Sequence, residues 1–109
     1  YQDLLNDLEE IQLPPPPNQN SDHFDVYQNY ELTVDKRDEL KNYLSEKNIG
    51  TLVQWGGKGI HHFQNLGFTQ VLPNTDKFFK RCIMLPMNLF ITDDDVDYIC
   101  KSIKEFYRK

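Results

Sequence analysis

The sequence predicts an α/β (α+β) fold, a small, mostly antiparallel or mixed sheet of about three strands covered by helices. Three observations predict it. Residues 23–53 run as strand, helix, strand, with apolar alternation giving way to helical spacing and then to β-formers. A short apolar run, Ile83-Met84-Leu85, is closed by Pro86, which cannot continue a hydrogen-bonded ladder and so belongs at an edge. The C-terminal stretch carries an unbroken apolar stripe at helical spacing. Short gaps between elements favour an antiparallel or mixed sheet over a doubly wound one, so no dinucleotide crevice is built in. A chain of 109 residues has room for a single core, and a hydrophobic share of 39% with 13% aromatic residues is enough to fill it.

In chain order, Leu4, Leu5, Leu8 and Ile11 recur at helical spacing with Asp7, Glu9 and Glu10 opposite, which predicts a first helix running through Ile11. Pro14-Pro15-Pro16-Pro17 ends it, because each proline lacks an amide hydrogen and fixes its own φ, and residues 18–22 continue as a polar loop. The four prolines read more readily as a stiff spacer than as a ligand for an SH3 or WW domain. Residues 1–22 are therefore expected to be a helix end plus linker, and 23–109 a domain.

Over residues 23–34, Val26, Gln28, Tyr30, Leu32 and Val34 face one way and Tyr27, Asn29, Glu31 and Thr33 the other, a long strand with one apolar face. Asp35 is expected to cap a helix over 36–47, with Asp38 and Glu39 in its first turn and Leu40, Tyr43 and Leu44 buried. Asn48 suits a left-handed exit, and Gly50 releases the chain into a strand at 51–53. Residues 60–66 form a short helical turn ending at Gly67. Asn74 or Thr75 starts another helix, with Phe78, Phe79 and Cys82 inward and Lys77, Lys80 and Arg81 outward. Thr92 caps the last helix, Asp93, Asp94 and Asp95 fill its positive end, and Val96, Ile99, Cys100, Ile103, Phe106 and Tyr107 make its stripe. Asp97 with Lys101 and Glu105 with Lys109 add exposed pairs of ~0.3 kcal/mol each.

Composition excludes several function classes. The net charge is -5, with both signs interspersed, so no face offers the positive field that nucleic acid requires. Cys82 and Cys100 lack the spacing of a zinc site or a disulfide framework and read as reduced, buried residues of a cytoplasmic protein. No apolar run approaches a membrane span, and no charged-then-apolar leader opens the chain. The chain opens inside what reads as a helix already under way, as expected of a piece of a longer protein.

The stretch from Gly50 to His62 departs from generic protein. It holds the only Trp, four of the five Gly and two of the three His. A strand running into Gly56-Gly57-Lys58-Gly59 suits a binding loop, although an ordinary turn under a packed Trp fits the composition equally well. The glycines lack the Ser or Thr and the long helix of a phosphate loop. His61 and His62 are adjacent, and on a regular helix or strand neighbours point apart, which weighs against a shared metal, as does the lack of an acidic partner at ligand spacing. One of the two is expected at a pocket mouth and the other in solvent. Asp93-Asp94-Asp95 is helix-capping chemistry rather than a cation site, and Cys82 beside Arg81 reads as structural rather than as an activated thiol. No Gly-x-Gly-x-x-Gly, P-loop or Gly-x-Ser-x-Gly elbow is present.

Five pieces in order carry a resemblance: Val26-Tyr27-Gln28-Asn29-Tyr30; Arg37-Asp38-Glu39-Leu40 with Asn48-Ile49-Gly50-Thr51; His61 through Gly67-Phe68; Leu85-Pro86-Met87-Asn88; and Thr92-Asp93-Asp94-Asp95-Val96-Asp97-Tyr98. Together they resemble the C-terminal small domain of the DegT/DnrJ/EryC1/StrS sugar aminotransferases over essentially the whole chain. Tyr1-Gln2-Asp3-Leu4-Leu5 is similar to the end of the helix that joins the two domains of those enzymes. The resemblance implies a fold type I enzyme dependent on pyridoxal phosphate that moves an amino group from glutamate or glutamine to a nucleotide-linked keto sugar. The family's Schiff-base lysine, pyridine-nitrogen partner and phosphate donors lie in its large domain, and no lysine here matches that motif. The resemblance thus implies no catalytic or cofactor-binding residue in this chain, an inactive fragment on its own, and a homodimer at full length.

What the resemblance leaves to this chain is one wall of the sugar-nucleotide pocket. Where many members have His-Tyr-Pro, this sequence has Gln54-Trp55-Gly56, a variant similar to the branch acting on dTDP-linked 3-keto sugars. A later family histidine near the substrate is matched by His61. Trp55 is then expected to stack on a sugar or base, Gln54 and His61 to hydrogen-bond hydroxyls, and Lys58 to pair with the diphosphate. Trp55 reads alternatively as an anchor between two domains. The competing class is a non-catalytic protein-interaction module that shares the fold.

Overall fold

The computed structural model describes residues 1–17, 22 and 25–108. Its centre is strand β2, Tyr30–Val34, which pairs antiparallel with β1, Ile11–Gln12, on one side and β3, Cys82–Leu85, on the other. Ile11 lies opposite Val34, and Tyr30 to Thr33 run against Leu85 to Cys82. Because successive residues of a strand alternate faces, Tyr30, Leu32 and Val34 all turn to the buried side. Ile83 and Leu85 join them there. Helices α2, Arg37–Glu46, and α4, Asp93–Tyr107, supply Leu40, Leu44, Ile99, Cys100 and Ile103 to the same core. Among the described residues the architecture is the expected α+β one: a small antiparallel sheet with helices against it.

One of the three strands is not one the sequence indicates, while Ile83-Met84-Leu85 forms the edge strand expected of it. The first helix, α1, spans only Gln2–Leu5, and Ile11 enters the sheet as a strand residue. Leu5, Leu8 and Ile11 are buried as their spacing requires, but Leu8 sits in a turn between helix and strand. Residues 51–53 form no strand; Leu52 makes one bridge to Met84, its N–H 3.2 Å from the Met84 carbonyl and its carbonyl 2.7 Å from the Met84 N–H. The long strand over 23–34 begins only at Tyr30, since Val26 is exposed and Tyr27 turns left-handed at φ 42. Its hydroxyl donates to the Pro15 carbonyl and so holds the proline arm. The polar loop at 18–21, the strand start at His23 and the Glu105–Lys109 pair lie outside the described residues.

Asp35 does not cap α2. Lys36 takes the cap position in a left-handed conformation, while the Asp35 carboxylate pairs with Arg81 at 2.9 Å and its carbonyl accepts from Tyr107 at 2.5 Å. Asn48 is left-handed at φ 60, as its place after the helix requires. The cap of α4 is as expected: Thr92 accepts from the Asp95 N–H, and the Asp95 carboxylate accepts from the Thr92 N–H at 2.9 Å. Glu105 reaches across to Lys47, the residue that caps the C-terminus of α2, at 2.7 Å. Cys82 and Cys100 are free and buried.

Helix α3, Pro73–Arg81, is amphipathic in sequence yet buries none of its residues fully, so the expected inward role of Phe78 and Phe79 is not met in the core. Cys82 is buried as the first residue of β3 rather than as part of the helix. The helix is fastened instead by Arg37, whose Nη1 donates to the carbonyls of Phe79 at 3.1 Å and Cys82 at 2.9 Å. No helix among the described residues is long and apolar enough to cross a membrane.

Candidate functional site

After the Leu52 bridge the chain leaves the sheet edge through a 3-10 turn, Gln54–Gly57, in which Trp55, Gly56 and Gly57 are left-handed at φ 51, 63 and 74. Glycine takes this conformation freely, but a bulky L-residue is strained there by about 1–2 kcal/mol. The Trp55 indole stands outward, with 79% of the residue exposed. Trp55 is therefore no core anchor within this chain. Two more 3-10 turns follow, Ile60–His62 and Gln64–Leu66, and Gly67 closes the second at φ 86, as its position in the sequence indicates.

Helix α3 stands opposite this loop. Phe79 faces Trp55, Lys58, Gly59, Ile60 and Phe63 across an open cleft of about 440 Å³. Two of the four residues singled out from the sequence, Trp55 and Lys58, line that cleft. Among the described residues Lys58 has no ion-pair partner. Gln54 is half-buried at the start of the turn, with its backbone N–H toward the Cys82 thiol, and does not line the cleft.

His61 is buried and does not line the cleft, while the half-exposed His62 lines an adjoining recess of about 390 Å³ with Arg37, Asp76 and Phe79. The His61 Nε2 lies 2.6 Å from the Asp76 Oδ1, and the His62 Nε2 lies 2.8 Å from the same oxygen. The expectation that adjacent histidines diverge fails because the 3-10 turn brings the two rings side by side, their centroids 4.0 Å apart. Asp76 is the site residue that sequence reasoning missed. Its spacing of 15 residues from His61 carries no local signal, although Phe79 three positions later on the same face of α3 marks the side turned to the loop. The hydrogen bond from His61 holds the Asp76 carboxyl below its ordinary range, and the bond from His62 acts in the same direction.

The donor atoms of His61, His62 and Asp76 lie within 4.8 Å of one another, near enough to hold a metal ion. The hydrogen bonding opposes it. A histidine ligating through Nε2 carries its proton on Nδ1 and needs an acceptor there. The His62 Nδ1 instead accepts the Gly59 N–H at 3.0 Å, and the His61 Nδ1 is buried without a partner. Gly59 makes this packing possible, since a Cβ there would lie 2.7 Å from the His61 ring.

Pyridoxal phosphate, which the resemblance implies, does not fit the cleft. Lys58 stands in it, but no carboxylate lines it to meet a pyridine nitrogen, and Asp76 is engaged by two imidazoles. The Gly56 and Lys58 N–H groups are bonded within their own turn, so they form no phosphate cradle. A larger groove of about 640 Å³ runs along α4, but Asp97, Lys101, Lys104, Glu105 and Arg108 rim it, and it lies apart from the loop.

The fold and cleft define an α+β domain with a recess walled by aromatic faces and one free cation, suited to a flat, anionic ligand. The DegT/DnrJ/EryC1/StrS aminotransferase family model matches residues 1–104. The chain belongs to that family. It is 31% identical over 96 residues to a pleiotropic regulatory protein of Geobacillus stearothermophilus, covering 84% of this chain and 26% of that one. It is 34% identical over 77 residues to a dTDP-4-dehydro-2,6-dideoxy-D-glucose 3-dehydratase of Saccharopolyspora spinosa, covering 67% of this chain and 17% of that one. The fold matches the solved structure of the sugar aminotransferase CalS13 from Micromonospora echinospora with a TM-score of 0.78 at 19% identity, over 96% of this chain and 27% of that one. The chain thus spans about a quarter or less of the length of these relatives.

Proposed function

We propose that the chain is the small domain of a cytoplasmic pyridoxal-phosphate-dependent aminotransferase that acts on a nucleotide-linked keto sugar with glutamate as amino donor. In this reading residues 1–22 lead in from the interdomain helix, with Leu5, Leu8 and Ile11 joining the core, and residues 23–109 form the domain proper. The observation that carries the reading is the family match over residues 1–104, taken with a cleft whose exposed ring and free ammonium come from the loop that holds Gln54-Trp55-Gly56. The cofactor is held by a large domain of the same polypeptide, supplies the electron sink for amino transfer, and makes no contact that this chain's cleft provides. The full-length protein acts as a homodimer, and the 109-residue chain alone is inactive.

Within the cleft, Trp55 offers an exposed face for a sugar or base to stack on, and Phe63 and Phe79 shield the recess from water. Lys58 meets the diphosphate as a point charge. Gln54, outside the cleft at the start of the turn, makes no ligand contact in this reading. His61, buried with its Nε2 on Asp76, serves the pocket through the loop it holds. None of these groups moves a proton in the reaction. A second reading rests on the 34% identity to a dTDP-sugar dehydratase: the same pocket in an enzyme that removes water from the sugar instead of aminating it.

The native gene product, purified from its own source, tests this. A protein several times this length is expected, yellow, bleached when borohydride fixes the cofactor to a lysine, and consuming glutamate in proportion to aminated dTDP-sugar. Sugar turnover without glutamate consumption would establish the dehydratase. A colourless product would leave an interaction module built on the fold.

A further inference from the structure

We propose that Asp76 is a positioning residue that sets the width of the cleft by clamping its loop wall to its helix wall. The proposal rests on the reading of the cleft as the sugar-nucleotide pocket. The proton positions follow from the hydrogen bonds. The His62 Nδ1 accepts the Gly59 N–H at 3.0 Å, so its proton sits on Nε2 and is donated to Asp76 at 2.8 Å. A proton on the His61 Nδ1 would be buried without an acceptor, so it too sits on Nε2 and is donated to the same oxygen at 2.6 Å. One carboxylate on α3 therefore fastens two consecutive loop residues.

The connection continues to the lining itself. Through His62 it reaches the Gly59 backbone, and Gly59, with Lys58 before it and Ile60 after it, forms the loop wall. Phe79, one turn beyond Asp76 on α3, forms the opposite wall. Arg37 ties α3 to α2, and Gly59 packs against the Phe79 ring, but among the described residues Asp76 makes the only side-chain hydrogen bonds between α3 and the loop. Charge-assisted bonds from a single carboxylate thus fix the separation across which Trp55 and Lys58 engage a ligand.

Asp76→Asn tests this, because the amide keeps an oxygen for both rings but loses the negative charge that strengthens the two bonds. In the native gene product the variant is expected to raise KM for the nucleotide-linked keto sugar about tenfold while kcat and the half-reaction with glutamate stay unchanged. In the 109-residue chain, the Trp55 indole and the Lys58, Gly59 and Ile60 amide resonances are expected to shift while those of β2 and α4 stay in place. A merely structural aspartate would lower the melting temperature and leave KM alone. Unmoved Trp55 and Lys58–Ile60 resonances, or an unchanged KM in an enzyme that does turn over the sugar, would overturn the proposal. If the native protein takes no nucleotide sugar, the functional reading fails and the resonances still decide the role of Asp76. Should Asp76→Asn not fold, His62→Gln at the half-exposed ring removes one of the two donors, and the same resonances must move by a smaller amount.

Discussion

Arg37 is the fastener between the helix-covered core and the α3 side of the molecule, and its loss is predicted to be severe. Its Nη1 donates to the carbonyls of Phe79 and Cys82 at 3.1 and 2.9 Å, and its side chain is only 11% exposed. Hydrogen bonds from a charged donor contribute about 1.5–3 kcal/mol each, so two of them place the loss in Arg37→Met at about 3 kcal/mol or more. The contact of its Nε with Asp38 adds little, because that carboxylate is 80% exposed. At about 4 °C or more per kcal/mol for a domain of this size, the melting temperature should fall by at least about 12 °C. Arg37→Lys keeps the charge but reaches one carbonyl and should lose about half as much. Thermal unfolding followed by circular dichroism reads both variants. A loss below about 1 kcal/mol in Arg37→Met would refute the assignment of these two bonds as the main tie between α2 and the α3–β3 junction.

Further outcomes follow from the same contacts. Leu44→Ala, at a side chain with no solvent exposure between α2 and the sheet, should cost about 2–5 kcal/mol by chemical denaturation. Gly59→Ala should destabilise by about 1–3 kcal/mol and displace the His61 ring, whereas Gly50→Ala, with open space around its Cα and an ordinary φ, should be neutral within about 0.5 kcal/mol in the same assay. Asp76 held low by His61, Asp95 by the Thr92 N–H, Asp7 by Lys104 and Glu105 by Lys47 all titrate below their unfolded values. Their contribution is complete above the ordinary carboxylate range and is lost as pH falls through the folded values. Stability measured from pH 7 to pH 2 should therefore drop below about pH 4. Glu31 works in the opposite sense, because burial raises its carboxyl, and its protonation on acidification relieves a charge.

The core face of β2, the two helices that cover it and the capping of α4 were legible in the sequence, since each depends on neighbours a turn or a strand-step away. So was the edge strand at Ile83-Met84-Leu85, but the identity of the other outer strand was not. Ile11 has the spacing of a helix residue, and only its pairing with Val34 makes it a strand. Asp35 has the chemistry of a cap, but Arg81 and Tyr107 claim it from 46 and 72 residues away. At the site, the glycine-rich turn after residue 53 followed from local chemistry, whereas the sequence left Trp55 open between an exposed ring and a packed anchor. The histidine pair did not follow from it, because neighbours converge only on an irregular turn, and their partner Asp76 lies on a separate helix.

Trp55 decides whether this chain forms a wall of a sugar-nucleotide pocket. Titrating the native gene product with a dTDP-linked keto sugar, with the signal of Trp55→Phe subtracted, should show saturable quenching of Trp55 emission at the concentrations that support turnover, with Trp55→Ala raising KM about tenfold. Turnover with no change in Trp55 emission and an unaltered KM in Trp55→Ala would contradict it.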